Sequence, residues 1–369
     1  MKLSRYARLA AVSVAGVLSL AGCGSDENLT TEGASNGSSA KGKDSCAAGT
    51  LNAEGSSAQK NAIEEVISTY NETCPDATVN YNPTGSGAGI KQFNAGQVDL
   101  AGSDSALKED KGEVSAAAQR CQGNPAWNLP MVVGPIAVAY NLEGVESLTL
   151  TPAVAAEIFK GTITTWDDPK IAKINSGVEL PSEEITVFFR SDESGTTENF
   201  TKYLNGAAGD VWTTEPAKTW DGTGEGKEKS SGVAEGVKST PGSVTYVEWS
   251  YAKDNDLGVA KIDNGAGAVE LTGASVGKAV ATAEQTGEGN DLRLELDYAT
   301  KEPGAYPIVL VTYEVVCSKG LDAEKTKLVK GFLSHFVSAE SQTVIEEIGY
   351  APLPEEVRTK VEAAVQAIS

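Results

Sequence analysis

Short apolar runs alternate with helix-period segments along most of this chain, and that alternation constrains its fold more than any other feature. "TLNAEGSSA" opens as a strand and turns. "AQKNAIEEVISTY" then carries Ile63, Val66, Ile67 and Tyr70 at helical spacing. "ATVNYNP" reads as a strand, "AGIKQFNAG" as a short helix ending near Gly96, and "VDLAGSD" as a strand ending at Asp104. "MVVGPIAVAYN" is a long apolar strand or strand pair. "TPAVAAEIFKG" is a helix with Thr151 as cap ahead of Pro152. "EITVFFR" predicts a strand, and "TTENFTKYL" a helix with Phe200, Tyr203 and Leu204 on one face. "YPIVLVTYEVV" predicts a strand and "EEVRTKVEAAVQAI" a final amphipathic helix. The expectation is an α/β architecture without internal repeats. At 369 residues it has room for about two domains.

The beginning of the chain reads differently. "MKLSRYAR" places Lys2, Arg5 and Arg8 before "LAAVSVAGVLSL", an apolar core too short to span a bilayer. "LAGC" follows, so residues 1–22 read as an export signal with a bacterial lipobox and Cys23 as the lipidated residue. The alternative is an ordinary signal peptide with an incidental cysteine. Residues 23–45 hold a single large apolar residue, Leu29, and read as a lipidated flexible tether. The expected location is the extracytoplasmic face of the cell membrane, anchored rather than spanning. The formal net charge is -21, and removal of the signal takes it to about -24. Nucleic acid is excluded as a partner, because binding it needs a basic face.

Four further cysteines, Cys46, Cys74, Cys121 and Cys317, allow three disulfide pairings in an exported chain. Cys46 and Cys74 each fall just before a predicted strand. If those strands are parallel neighbours, both sulfurs lie at one sheet edge, which predicts Cys46–Cys74 and Cys121–Cys317. There is no CxxC pair, and His335 is the single histidine, so neither a metal site nor a Cys-His catalytic site is expected.

Three strand-turn-helix junctions share one chemistry: "EGSSAQ", "PTGSGAGIKQ" and "RSDESGTTENF". Each puts glycine and small hydroxyl residues where a helix begins. Helix starts carry unpaired N–H groups and the positive end of the dipole. Glycine lets backbone approach a ligand closely. Several such starts aimed at one point form an anion cradle from neutral groups, and Arg190 adds a guanidinium fork. Any one junction alone is most simply a set of caps. "GSGAGIK" is neither a P-loop nor GxGxxG. Gly222 to Gly236, "GTGEGKEKSSGVAEG", reads as a surface loop, with ligand contact as the alternative.

Taken together the junctions resemble those of the phosphate-binding protein of bacterial high-affinity phosphate ABC importers. The resemblance runs from about Cys46 to the C-terminus. It is supported by "LPMVVGPIAVAYN", "LTPAVAAEIFKGTITTWDDPKIAKIN", "STPGSVTYVEWSYA", "AYPIVLVTY" and "GYAPLP". It implies a two-lobed periplasmic-binding-protein fold (type II), each lobe a mixed sheet flanked by helices, with the ligand in the cleft between them. Lobe I would be 46–132 plus 308–369, and lobe II 133–307. The chain would be a monomer without cofactor or catalysis that hands inorganic phosphate to ABC permease subunits. The implied ligands are Ser57, the Ala58 backbone N–H, Ser86, Asp104, Arg190, Ser194, Gly195 and Thr196, with Asp192 orienting the arginine. Two positions depart from the family pattern. Ala58 stands where a bulkier residue is common, and Glu193 puts an extra acid where glycine is common.

Asp104 would accept the proton that phosphate still carries near neutral pH, whereas sulfate has none to donate. Three rival readings differ in what they need. An exported phosphatase or esterase using Ser86 or Ser194 needs a base or metal, and His335 lies in an apolar helical segment suited to a core role. An adhesion or sensing protein would keep the fold and lose the affinity. A receptor for another oxyanion, such as sulfate, molybdate or phosphonate, conflicts with Asp104 when the anion is fully deprotonated, although arsenate does not.

Overall fold

The computed structural model describes residues 46–369; the export signal, Cys23 and the tether lie outside the described residues. The Gly49–Gly55 strand buries Leu51 and Ala53 on one side and pairs in parallel with Ala77–Asn82, Gly49 opposite Ala77. A parallel pair needs a crossover, and the Lys60–Thr73 helix supplies it, burying Ala62, Ile63, Val66 and Tyr70. Cys46 and Cys74 thus meet at one edge and form a disulfide, with Cα atoms 5.4 Å apart. A second disulfide joins Cys121, after the Glu113–Arg120 helix, to Cys317 at the end of the Val309–Cys317 strand.

"MVVGPIAVAYN" belongs to one strand, Ala126–Asn141, buried without a break from Asn128 to Tyr140. Its first part runs antiparallel to Val309–Cys317, from Ala126 opposite Cys317 to Pro135 opposite Val309. Its second part runs antiparallel to Ser243–Glu248, from Ile136 opposite Glu248 to Asn141 opposite Ser243. The prolines fit these changes, because a proline has no N–H for a ladder. Pro135 sits where the partner switches, and Pro130 faces Tyr313 at a register shift. The return of the chain lies beside the switch: Ile136 N donates to Ile308 O at 2.8 Å.

The sheet therefore has two mixed halves sharing one strand. One half runs Ala77–Asn82, Gly49–Gly55, Leu100–Ser103, Val309–Cys317 and the first part of the long strand. The other runs from its second part through Ser243–Glu248 and Thr186–Arg190 to Glu225–Lys227, the last three parallel. One apolar cluster extends under both halves, and a smaller one beneath the Ser86–Asn94 and Glu113–Arg120 helices includes Ile90, Phe93 and both sulfurs of the second disulfide.

One expectation is corrected. Gly222 to Gly236 is not a plain loop: it forms the Glu225–Lys227 strand and the start of the Lys229–Ser239 helix. The helix buries only Ser230, Val233, Ala234 and Val237, a side too small to stand out among glycines and charges.

Candidate functional site

All three junctions end at the same place. In the first, Gly55 has φ +146, and an added Cβ would stand 2.0 Å from the Gly102 carbonyl oxygen, so only glycine lets these strands turn here together. Ser56 and Ser57 follow, both buried. In the second, Gly85 at φ +102 leads into the Ser86–Asn94 helix. In the third, Ser194 caps the Gly195–Ala208 helix, accepting from Thr197 N at 3.1 Å. That helix start presses on the second junction: a Cβ at Gly195 would meet Asp104 Cβ at 2.5 Å and Ser86 Oγ at 2.7 Å.

Asp104, just past the Leu100–Ser103 strand, is 3% exposed. Its Oδ1 accepts from Ser56 Oγ at 2.6 Å and Thr312 Oγ1 at 2.7 Å, and its Oδ2 from Ser86 Oγ at 3.0 Å. Burial raises this carboxyl above its ordinary value, while the three hydroxyls and Arg190 pull the other way. Arg190 ends the Thr186–Arg190 strand and is 2% exposed. Its Nε donates to Asp192 Oδ1 at 2.7 Å, and Nη2 donates to Asp192 Oδ2. Its Nη1 donates to Thr196 Oγ1 at 3.3 Å and Ser230 Oγ at 3.1 Å. Burial works against the guanidinium charge, but Asp192 more than offsets it and holds the arginine above its usual value. Burial would likewise raise Asp192, yet Arg190 and the Lys229 N–H keep it low.

Ser57, Ser86, Asp104, Arg190, Asp192 and the Ser194–Thr196 turn are therefore brought into one network. Ser57 Oγ stands 3.0 Å from Ser230 Oγ. The Ala58 N–H donates to Ser56 Oγ at 3.0 Å. Glu193 points outward and pairs with Lys91 at 2.7 Å, with both side chains well exposed. His335 is far from this network in sequence and in partners: it bonds Thr69 Oγ1 at 2.9 Å beside the Tyr70 ring, and burial lowers its pKa.

Besides Ser56, which donates to Asp104, sequence reasoning missed four further residues. Ser230 lies in the stretch read as a loop, yet is fully buried between Ser57 and Arg190. Glu248 ends the Ser243–Glu248 strand and accepts from Thr196 Oγ1 at 2.5 Å. Thr312 holds Asp104 from the Val309–Cys317 strand, where it and Glu314 interrupt an apolar run two residues apart. Asn199 donates to the Asp104 and Gly195 carbonyls, each at 2.8 Å. The polar pair in "VTYEVV" was a usable signal, since buried polar groups on a strand need a partner. Ser230 and Glu248 had none without the sheet order.

The arrangement gathers hydroxyls, helix-start N–H groups and one oriented guanidinium, with a buried carboxyl among them. That is chemistry for holding an oxyanion. Among the described residues, no group of three or more His, Cys, Asp or Glu could hold a metal ion, and no helix is long and apolar enough to cross a membrane.

Comparison with known proteins agrees in both sequence and fold. A family model described as a PBP superfamily domain matches residues 40–340. The chain is 46% identical to phosphate-binding protein PstS 3 of Mycobacterium tuberculosis, covering 100% of both proteins. It is 34% identical to phosphate-binding protein PstS of Methanocaldococcus jannaschii over 82% of each. Among solved structures, a high-affinity periplasmic phosphate-binding protein (PfluDING) bound with phosphate superposes with a TM-score of 0.69. At 22% identity, covering 85% of this chain and 93% of that one, the last likeness speaks to the fold alone.

Proposed function

Because the chain belongs to the PstS-type phosphate-binding protein family, within the PBP superfamily, we propose that it captures inorganic phosphate and delivers it to an ABC-type importer. The observation that supports this most is the meeting of three helix starts around Arg190, with Asp104 opposite. The ligand set is Ser57, the Ala58 N–H, Ser86, Asp104, Arg190, Ser194, Gly195 and Thr196. Asp192 locks the guanidinium so that little rotamer freedom is lost on binding. Hydroxyls and N–H groups spread the anion's charge, Arg190 supplies the formal counter-charge, and Asp104 accepts the ligand's proton. Sulfate brings no proton, so its oxygen would face the Asp104 carboxylate with nothing between.

In this reading the protein is a carrier, not an enzyme. Ser194 spends its oxygen on the helix cap, and the single histidine, His335, bonds Thr69 instead of either serine. The lobes are 46–132 plus 308–369 and 133–307, a division supported by the change of strand partner at Pro135 and the neighbouring return at Ile308. They open and close on phosphate about these two crossings. Cys23 carries a lipid that holds the protein at the extracytoplasmic face, where it meets the permease subunits. Cys23→Ala should move it from the membrane fraction to the soluble one; retention in the membrane would remove the anchor.

The direct test is calorimetric titration of the anion-stripped chain with phosphate and, separately, sulfate. Tight one-to-one phosphate binding with no sulfate heat is the expected result. Sulfate binding of similar strength would overturn the ligand.

A further inference from the structure

The proposed ligand set leaves one carboxyl of the network without a task. Glu248 is fully buried at the end of its strand, across from Ile136, where the long strand changes partner. Its Oε1 takes the Thr196 hydroxyl hydrogen, and its Oε2 has no hydrogen-bond partner. Thr196 Oγ1 in turn accepts from Arg190 Nη1.

A hydroxyl has a single hydrogen. While Glu248 is ionised, the Thr196 hydrogen is committed to it and is not offered to an anion. When Glu248 holds a proton, its own O–H donates to Thr196 Oγ1, and the Thr196 hydrogen turns toward the cleft. One proton thus removes a negative charge and adds a donor. The lone Oε2 fits the same state. A buried carboxylate oxygen without a partner costs far more than the carbonyl oxygen of a neutral acid.

Charge points the same way. Arg190 is a buried cation in contact with this network, and Asp192 already pairs with it. The groups facing Glu248 are Arg190 from its strand, Asp104 from beyond the Leu100–Ser103 strand, Ser230 from the Lys229–Ser239 helix, Tyr251 from the following helix, and Tyr350. Burial, with Asp104, pushes the carboxyl toward its neutral form, against Arg190, Thr196 and Ser230. A doubly charged phosphate brought beside it adds to that push.

Resting on the phosphate reading above, we propose that Glu248 takes up a proton from solvent as phosphate binds, and thereby converts Thr196 into a donor to the ligand. One O–H bond forms at Glu248 and one breaks in the buffer acid; no other covalent bond of the chain changes, and none of the phosphate does. Glu248 is a positioning residue that acts through Thr196.

The test is proton counting. Phosphate is titrated into the full chain at alkaline pH, where it is dibasic, in two buffers of different ionisation enthalpy. The wild type should take up more protons per phosphate than Glu248→Gln, by roughly half to one proton. The glutamine amide imitates the protonated acid, so this variant should still bind. Its affinity should fall less steeply as pH rises. Equal proton counts in both proteins would overturn the proposal while leaving the phosphate reading intact. Absence of phosphate heat in the wild type would remove both. Should Glu248→Gln not fold, Asp104→Asn supplies the second measurement: its infrared difference spectrum should gain a carboxylic-acid stretch on phosphate addition. No such band would overturn the assignment.

Discussion

Arg190 and Asp104 face each other in one buried cradle, and the chain accommodates the two ions by different means. Arg190 is held by an opposite charge, with Asp192 gripping Nε and Nη2. Asp104 is held by three neutral hydroxyls, from Ser56, Ser86 and Thr312. The pKa shifts follow the difference: Asp192 is lowered by its arginine against burial, whereas burial wins at Asp104 and raises it. A third acid, Glu314, has neither device. It accepts from Gln59 Nε2 at 2.7 Å, its Oε2 is unpartnered, and burial pushes it up to about 8. A charge partner keeps an acid ionised in a dry site. Neutral hydroxyls donate to the Asp104 carboxylate without supplying a counter-ion, so its charge is not cancelled by a salt-bridge partner and stays available to accept a proton-bearing oxygen.

The comparison breaks most severely at the arginine. Arg190→Ala should weaken phosphate binding by about thirtyfold to a few thousandfold, since truncating one partner of a buried charge pair costs roughly 2–5 kcal/mol. Titration calorimetry beside an unchanged circular dichroism spectrum checks this; wild-type affinity would defeat the assignment. Asp104→Asn comes next. Losing a hydrogen bond to a charged group, about 1.5–3 kcal/mol, should lower phosphate affinity roughly tenfold to a hundredfold. It should also raise sulfate binding, because the amide can donate where the carboxylate repelled. An unchanged phosphate-to-sulfate ratio would remove the proton-accepting role.

Glu314 sharpens the contrast through stability. Its folded pKa is raised from 4.5 to about 8, so its contribution is present below the unfolded value and is lost as pH rises through about 8. Over that window the folded state holds a proton that the unfolded state lacks. Stability should therefore fall with pH by up to about 1.4 kcal/mol per unit. Glu314→Gln should flatten that decline, as read from urea midpoints at about pH 5.5 and 8.5. Equal slopes would show that Glu314 is ionised in the folded protein. The smallest effect belongs to Lys91 and Glu193, paired at 2.7 Å across two junctions with both side chains exposed. Lys91→Ala should shift stability by no more than about 1 kcal/mol and affinity by a few-fold, because solvent screens such pairs. A larger loss of affinity would make that pair part of the closed cradle.

Much of this was legible before any coordinates. A helix between two strands followed from the period of Ile63, Val66 and Tyr70, and the condition that those strands pair in parallel, which would put Cys46 beside Cys74, is met in the structure. The glycine-hydroxyl junctions marked helix starts. The segment after Gly222 was misread because local pattern is weakest where a helix buries small residues, and the three-residue Glu225–Lys227 strand gains its partners only from Thr186–Arg190.

The sequence by itself determined the local chemistry: where helices start, and which arginine has a carboxylate two residues away to orient it. Those depend on neighbours a few residues apart. Tertiary structure alone decided that Ser230 meets Ser57 across 173 positions, Thr312 meets Asp104 across 208, and Thr196 meets Glu248 across 52. Such contacts depend on the order of strands in a sheet and on one long strand changing partners at Pro135. The physical reason is that burial makes a polar side chain find a partner, while chain topology chooses which one.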